Sequence, residues 1–270
     1  YSSFQFLFNI VNYFSRNLDK LLIGKFIGMV PLGYYDKSYR LMMLPLQNII
    51  FVINPVFQPI FSEYQNDIEK LRDYYLKILK MLMWIAFPLT VIVFFISKEL
   101  IFVFFGSQWG AAVPVFRILS VTICLQVLIS TTGAIYQSVN ATKELFVSGC
   151  WGAFLLVMGF AIPIFLYGTI EAVAVGYVVS QLLNFIQCFY LLFDKIRYSL
   201  FDFLKALSHP LLVSLLVFGF AMVLFSYVTI EENLISLIFK TAILTSVFLL
   251  YLFYKRIIDF QSVIKLIRKK

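Results

Sequence analysis

Gln5, Asn9, Asn12, Arg16 and the Asp19–Lys20 pair follow one another at steps of three or four in an otherwise apolar stretch. In an α-helix that spacing puts them on one face. The opposite face carries Phe6, Ile10, Phe14, Leu18, Leu21 and Leu22. One wall is therefore suited to lipid or protein packing, the other to water or a polar ligand. A charge at the centre of a membrane-spanning helix costs about 2.5–3.5 kcal/mol on insertion scales. So long a polar stripe is expected to line a water-filled cavity. The alternative is a structural ion pair in which Asp19 neutralises Arg16 or Lys20.

Two later segments repeat the pattern more weakly. Thr122, Gln126, Ser130, Gly133 and Gln137 share one helix face, as do Tyr177, Gln181, Asn184 and Cys188. Interhelical hydrogen bonding would explain the second set as well as a cavity would. Arg117 lies roughly opposite Gln126 and is expected to snorkel or pair locally; Lys240, isolated in the last apolar stretch, is expected to be structural. Catalytic patterns are missing. There is no glycine-rich phosphate loop, no HExxH, no nucleophile elbow, and the only adjacent acidic pair is Glu231–Glu232. Cys124, Cys150 and Cys188 form no CxxC pair, and His209 is the sole histidine. No enzyme activity, cofactor or metal is expected.

The elements that position these residues follow from composition. Of 270 residues, 61% are hydrophobic and 13% charged, and mean hydropathy is +0.91. Soluble domains run near 45–50% apolar and about 25% charged, so lipid must solvate the outer surface. The fold class is all-α, a polytopic transmembrane bundle. A helix crosses the hydrocarbon core in about 20 residues. That ruler gives about eight spans, near 4–28, 38–61, 80–97, 111–138, 145–166, 171–193, 210–229 and 233–254. Short amphipathic helices are expected at the interface over 66–78, capped by Asn66 with Glu69 three residues later, and over 195–207 and 257–267. Their partners are membrane lipids. The net charge of +8 is not a nucleic-acid signal, because Lys and Arg collect in alternate loops and in the C-terminal tail. The other loops hold only Lys37, Arg40 and Lys98. The positive-inside rule then places both ends of the chain in the cytoplasm.

Specific runs also carry a resemblance. Asn17-Leu18-Asp19-Lys20-Leu21-Leu22-Ile23-Gly24, Leu32-Gly33-Tyr34-Tyr35, Tyr39-Arg40-Leu41 and Pro45 are followed by Phe57-Gln58-Pro59-Ile60-Phe61-Ser62, Phe87-Pro88-Leu89 and Phe104-Phe105-Gly106-Ser107-Gln108-Trp109. Together they resemble the polysaccharide flippases of the multidrug/oligosaccharidyl-lipid/polysaccharide exporter superfamily, over roughly residues 12–145. The resemblance implies two six-helix bundles around a cavity, often with two extra helices. Residues 1–193 would be the second bundle and 194–270 the extra pair with a basic tail, the first bundle preceding Tyr1. It implies export of lipid-linked oligosaccharide repeat units by alternating access in the bacterial cytoplasmic membrane, alongside other polysaccharide-assembly proteins. Asn9, Asn12, Arg16, Asp19, Lys20, Gln126, Gln137, Gln181 and Asn184 would line the substrate cavity, with Arg16 and Lys20 toward an anionic diphosphate or acidic sugar. A multidrug or cation exporter and a lipid II flippase share the fold and stay open as alternatives. A membrane glycosyltransferase or polymerase is more remote, because the loops leave little room for catalytic carboxylates.

Overall fold

A computed structural model describes residues 2–64, 67–227 and 234–255, with the side chains of 2–5, 8, 11–16, 54–60 and 62 outside the described set. The described residues are helical almost throughout and contain no strand. Two helices open the chain, α1 (Ser2–Phe26) and α2 (Met29–Glu63). Next come α3 (Ile68–Phe95) and the short α4 (Ser97–Phe105). Three pieces follow, α5 (Ala112–Ser120), α6 (Ile123–Ile129) and α7 (Thr132–Ser138). The long helices α8 (Thr142–Tyr167), α9 (Ile170–Lys195), α10 (Leu200–Tyr227) and α11 (Leu234–Lys255) complete the order.

Five helices, α3 and α8 to α11, are long and apolar enough to cross a membrane, or six if the bent α5–α7 unit is one span. The chain is thus a multi-pass membrane protein. The expected eight segments all appear as helices, but apolarity supports five or six crossings among the described residues. At 1.5 Å per residue α1 and α2 are about 37 and 52 Å long, more than the roughly 30 Å hydrocarbon core. α1 falls short on composition, carrying Arg16, Asp19, Lys20 and Lys25, whereas the charges Asp36, Lys37 and Arg40 of α2 lie in its first twelve residues and leave 41–62 uncharged.

The expected interfacial helices need correction. The interfacial helix over 66–78 and the span over 80–97 are one helix, α3. Neither Gly nor Pro interrupts it before Pro88, and Leu71, Tyr75, Leu79, Leu82 and Ala86 continue one buried stripe. Its cap is Asp67, whose carboxylate accepts from the Lys70 N–H at 3.1 Å; Asn66 lies outside the described residues. The Lys70 ammonium also pairs with Asp67 and holds that carboxyl below its ordinary range. Residues 195–207 are not a separate helix, because α9 ends at Lys195 and α10 starts at Leu200. The region 257–267 is outside the described residues.

The span expected over 111–138 is broken, with a 46° bend between Ala112–Ser120 and Ile123–Ser138. The cause is local chemistry. Ser120, Thr122, Ser130, Thr131 and Thr132 each donate a side-chain hydroxyl to a carbonyl three residues back, at 2.7–2.8 Å. Such back-bonding competes with the main-chain ladder and bends helices. At the first break Thr122 N–H bonds the Leu119 carbonyl, an i to i−3 contact. The Cys124 N–H is taken by Thr90 Oγ1 of α3 at 3.0 Å. A polar atom from a neighbouring helix thus satisfies the backbone where the membrane cannot.

The main core packs α1, α2, α3 and α5–α9 around Tyr35, Tyr75, Phe116, Tyr136, Phe160, Phe189 and Phe193. A smaller core of Trp84, Val91, Val213, Val217, Ala221, Leu244 and Phe248 joins α10 and α11 to α3. The α8–α9 hairpin turns at Gly168, whose φ of +64° is the left-handed region that glycine tolerates. Thr169 then caps α9 by accepting the Ala172 N–H at 3.3 Å.

Candidate functional site

Inside the main bundle, polar groups from five helical units converge on one cavity of about 330 Å³. α1 contributes Asp19 and α2 contributes Tyr39. Gln126 and Ser130 come from the broken unit, Ser148 and Gly152 from α8, and Tyr177, Gln181, Asn184 and Cys188 from α9. Met43, Leu46, Ile50, Leu156 and Phe160 complete an amphipathic wall. A cavity this size is within the range that holds small ligands.

Local geometry explains how each group is presented. The break at 120–122 turns α6 so that Gln126 faces inward, where its Nε2 donates to Thr122 Oγ1 at 2.8 Å. On α9, Gln181 is 7% exposed and its Nε2 donates to the Tyr177 hydroxyl at 2.8 Å. Tyr177 stacks on Phe160 of α8 at 5.8 Å and meets Tyr39 of α2 edge-on at 5.8 Å. Tyr39 in turn stacks on Tyr35 at 6.3 Å. A ladder of rings therefore ties α2, α8 and α9 together along one side of the cavity. The Asn184 amide sits directly over Gly152, where an added Cβ would lie 2.7 Å from its Oδ1. The small residue at 152 is what makes room for the amide.

Asp19 is 1% exposed, and its Oδ1 accepts the Lys20 N–H at 2.7 Å. It is the only formally charged residue among the described lining. The Lys20 ammonium makes its ion pair elsewhere. Lys20 Nζ reaches Asp36 Oδ1 at 2.9 Å, and Arg40 Nε reaches Asp36 Oδ2 at 2.7 Å. Asp36 thus gathers two cations on the α1–α2 seam and leaves Asp19 as the cavity's carboxylate.

Of the residues singled out in the sequence, Asp19, Gln126, Gln181 and Asn184 come together around the cavity. Lys20 is turned to the Asp36 cluster. Gln137 and Asn9 occupy exposed positions and are not among the described lining. The side chains of Asn12 and Arg16 lie outside the described set, although their helix positions fall in α1. Arg117 pairs locally, its Nε donating to Ser97 Oγ at 3.0 Å with the guanidinium 5.6 Å from the Phe94 ring. Lys240 is not isolated but paired with Glu99. Sequence reasoning missed Tyr39, Ser148 and Gly152. The signal was present in part, since Ser148 and Gly152 are four apart and share a helix face.

No group of three or more His, Cys, Asp or Glu side chains with metal-binding geometry occurs among the described residues.

Comparison with known proteins finds similar chains. Residues 1–114 match the family profile described as polysaccharide biosynthesis protein. The teichuronic acid biosynthesis protein TuaB of Bacillus subtilis (strain 168) is 28% identical over 217 residues, which is 79% of this chain and 44% of that protein. The lipopolysaccharide biosynthesis protein WzxC of Escherichia coli (strain K12) is 25% identical over 208 residues, 77% of this chain and 42% of that protein. The chain spans less than half the length of these curated relatives. Among solved structures, lipid II flippase MurJ in an inward closed conformation superposes with a TM-score of 0.74 at 18% identity. That match covers 93% of this chain and 53% of MurJ, and it shows a shared fold.

Proposed function

We propose that this chain, a relative of the polysaccharide biosynthesis proteins, is one part of a transporter that flips lipid-linked oligosaccharide repeat units across the bacterial cytoplasmic membrane. In this reading residues 1–193 form one bundle of the transporter and 194–270 an appended helix pair, with both ends of the chain in the cytoplasm. The observation that carries it is the convergence of amide, hydroxyl and aromatic groups on a cavity inside an otherwise apolar bundle. Asn and Gln offer both donors and acceptors to sugar hydroxyls. Their burial in a membrane protein has a cost that a polar cargo would offset. The relatives' names, teichuronic acid and lipopolysaccharide biosynthesis, point to the same substrate class.

The charges suit a lipid diphosphate on the α1–α2 side. Lys20 and Arg40 flank Asp36 there, and the Arg40 side chain is 68% exposed. Arg16 stands one turn before Asp19 on α1 and adds a further cation to that helix. An exposed cation on that seam attracts an anionic diphosphate, more strongly at low ionic strength. Export then proceeds by rocking of one bundle against the other, driven by an ion or substrate gradient. One observation favours a second reading, export of a cation: the described cavity lining carries a carboxylate and no cation.

The test uses cells lacking the full-length gene. Surface polysaccharide and lipid-linked repeat units on the cytoplasmic leaflet are measured together. Lost polymer with trapped repeat units is the expected result. Normal polymer with no trapped intermediate refutes the flippase reading, and loss of resistance to toxic cations would then support the second one.

A further inference from the structure

The helix pair α10–α11 poses a physical problem. Much of its surface is exposed and apolar, including Leu216, Phe220, Ile235, Ile238, Leu250 and Phe253. It joins the rest of the molecule mainly along α3 through a small core. Lipid tails are as apolar as Leu, so burying such faces gives little drive to dock and little preference for one register. Something else must fix where α11 sits.

One polar cluster does so. Glu99, in the first turn of α4, is 1% exposed. Its Oε1 accepts a hydrogen bond from Ser236 Oγ of α11 at 3.0 Å and pairs with the Lys240 ammonium, also of α11. Ser236 and Lys240 are four residues apart and so share one face. The Lys240 ammonium also lies 5.4 Å over the Phe225 ring of α10. A single cation therefore touches both α4 and α10 from its place on α11. At the other end of α11, Tyr251 stacks on Trp84 of α3 at 5.8 Å and its hydroxyl lies 3.1 Å from His209 Nε2 of α10.

We infer that Glu99, Ser236 and Lys240 form a clasp that sets the register of α11 and holds the α10–α11 pair on the bundle. Sliding α11 by one turn would put Ser236 or Leu244 where Lys240 stands and leave a buried carboxylate uncompensated. Breaking one side of a buried pair is far costlier than the pair is worth intact. That asymmetry adds to the docking a specificity that apolar packing supplies only weakly. The inference does not depend on what the protein transports.

The experiment uses the full-length protein in its own membrane, with every native cysteine, Cys124, Cys150 and Cys188 among them, replaced by Ala. Trp84→Cys and Tyr251→Cys report the register of α11 through a short thiol cross-linker. They also remove the aromatic tie, which leaves the clasp as a polar hold on α11 among the described residues. A protease site in the 196–199 turn separates the two pieces on a denaturing gel unless they are cross-linked. Glu99→Lys and Lys240→Glu are each expected to lower the cross-linking rate roughly tenfold, and the two combined to recover most of it. A second reporter, Glu144→Cys with Lys195→Cys and a protease site after Gly168, reads the bundle itself, because those two side chains pair at 2.6 Å. It is expected to cross-link equally in every clasp variant. The clasp is overturned if the single variants cross-link at the unmodified rate, or if the charge swap does no better than they do. It is equally overturned if the bundle reporter falls in step, which would make Glu99 a general folding residue.

Discussion

Two glycine-to-alanine substitutions on the α8–α9 joint separate packing from function. At Gly176 the added Cβ would lie 2.0 Å from the Gly159 carbonyl oxygen and 2.6 Å from Pro163 Cγ. Carbon–oxygen contacts settle near 3.3 Å or more, so the two helices must part locally by about 1.3 Å. The obstacle is backbone and a proline ring, so no rotamer change relieves it. The expected loss is about 3 kcal/mol, the upper end of the overpacking range. At Gly152 the nearest atom is the Asn184 amide oxygen at 2.7 Å, the end of a side chain that borders the cavity and can swing into it. There the expected loss is about 1 kcal/mol. Thermal unfolding of the full-length protein in detergent should therefore rank Gly176→Ala well below Gly152→Ala. Asn184→Ala should rescue the stability of Gly152→Ala but not of Gly176→Ala. Under the proposed function, Gly152→Ala should impair export despite its small stability cost, since it displaces a cavity amide. Equal stability for the two variants would refute the packing derived for this joint. Rescue of both by Asn184→Ala would refute the assignment of the clash at Gly152.

Asp19→Asn should abolish or strongly reduce export with unchanged membrane insertion, read by surface polymer and by protein level in the membrane fraction. Cysteine at Asn184 should react with a water-soluble thiol reagent, while cysteine at Leu183, exposed on the outer side of the same helix, should not. Thr90→Val leaves the Cys124 N–H at the helix break without its acceptor and should cost about 1–3 kcal/mol in thermal unfolding. Asp67→Ala should fray the start of α3, seen as faster amide exchange at Lys70. The folded-state pKa of Asp67 is lowered, so this capping contribution is present above its unfolded value and lost as pH falls through the lowered one.

The sequence by itself determined the solvent and the element type. So many apolar residues with so few charges can only be matched to lipid, and helices are how an unpaired backbone survives there. Periodicity also placed Tyr177, Gln181, Asn184 and Cys188 on one face, because a helix fixes directions from local spacing alone. What faces that wall is a matter of tertiary packing. Only the assembled bundle joined Asp19 to Gln126 and Gln181, and gave Lys20 to Asp36 rather than to Asp19. The broken span was half legible, since Ser120, Thr122 and Ser130–Thr132 can each bond back to the chain, yet the break also needed Thr90 from α3 to satisfy Cys124. Lys240 looked isolated because its partner Glu99 lies far away along the chain. Spacing along one helix carries no information about a contact set by how separate helices pack.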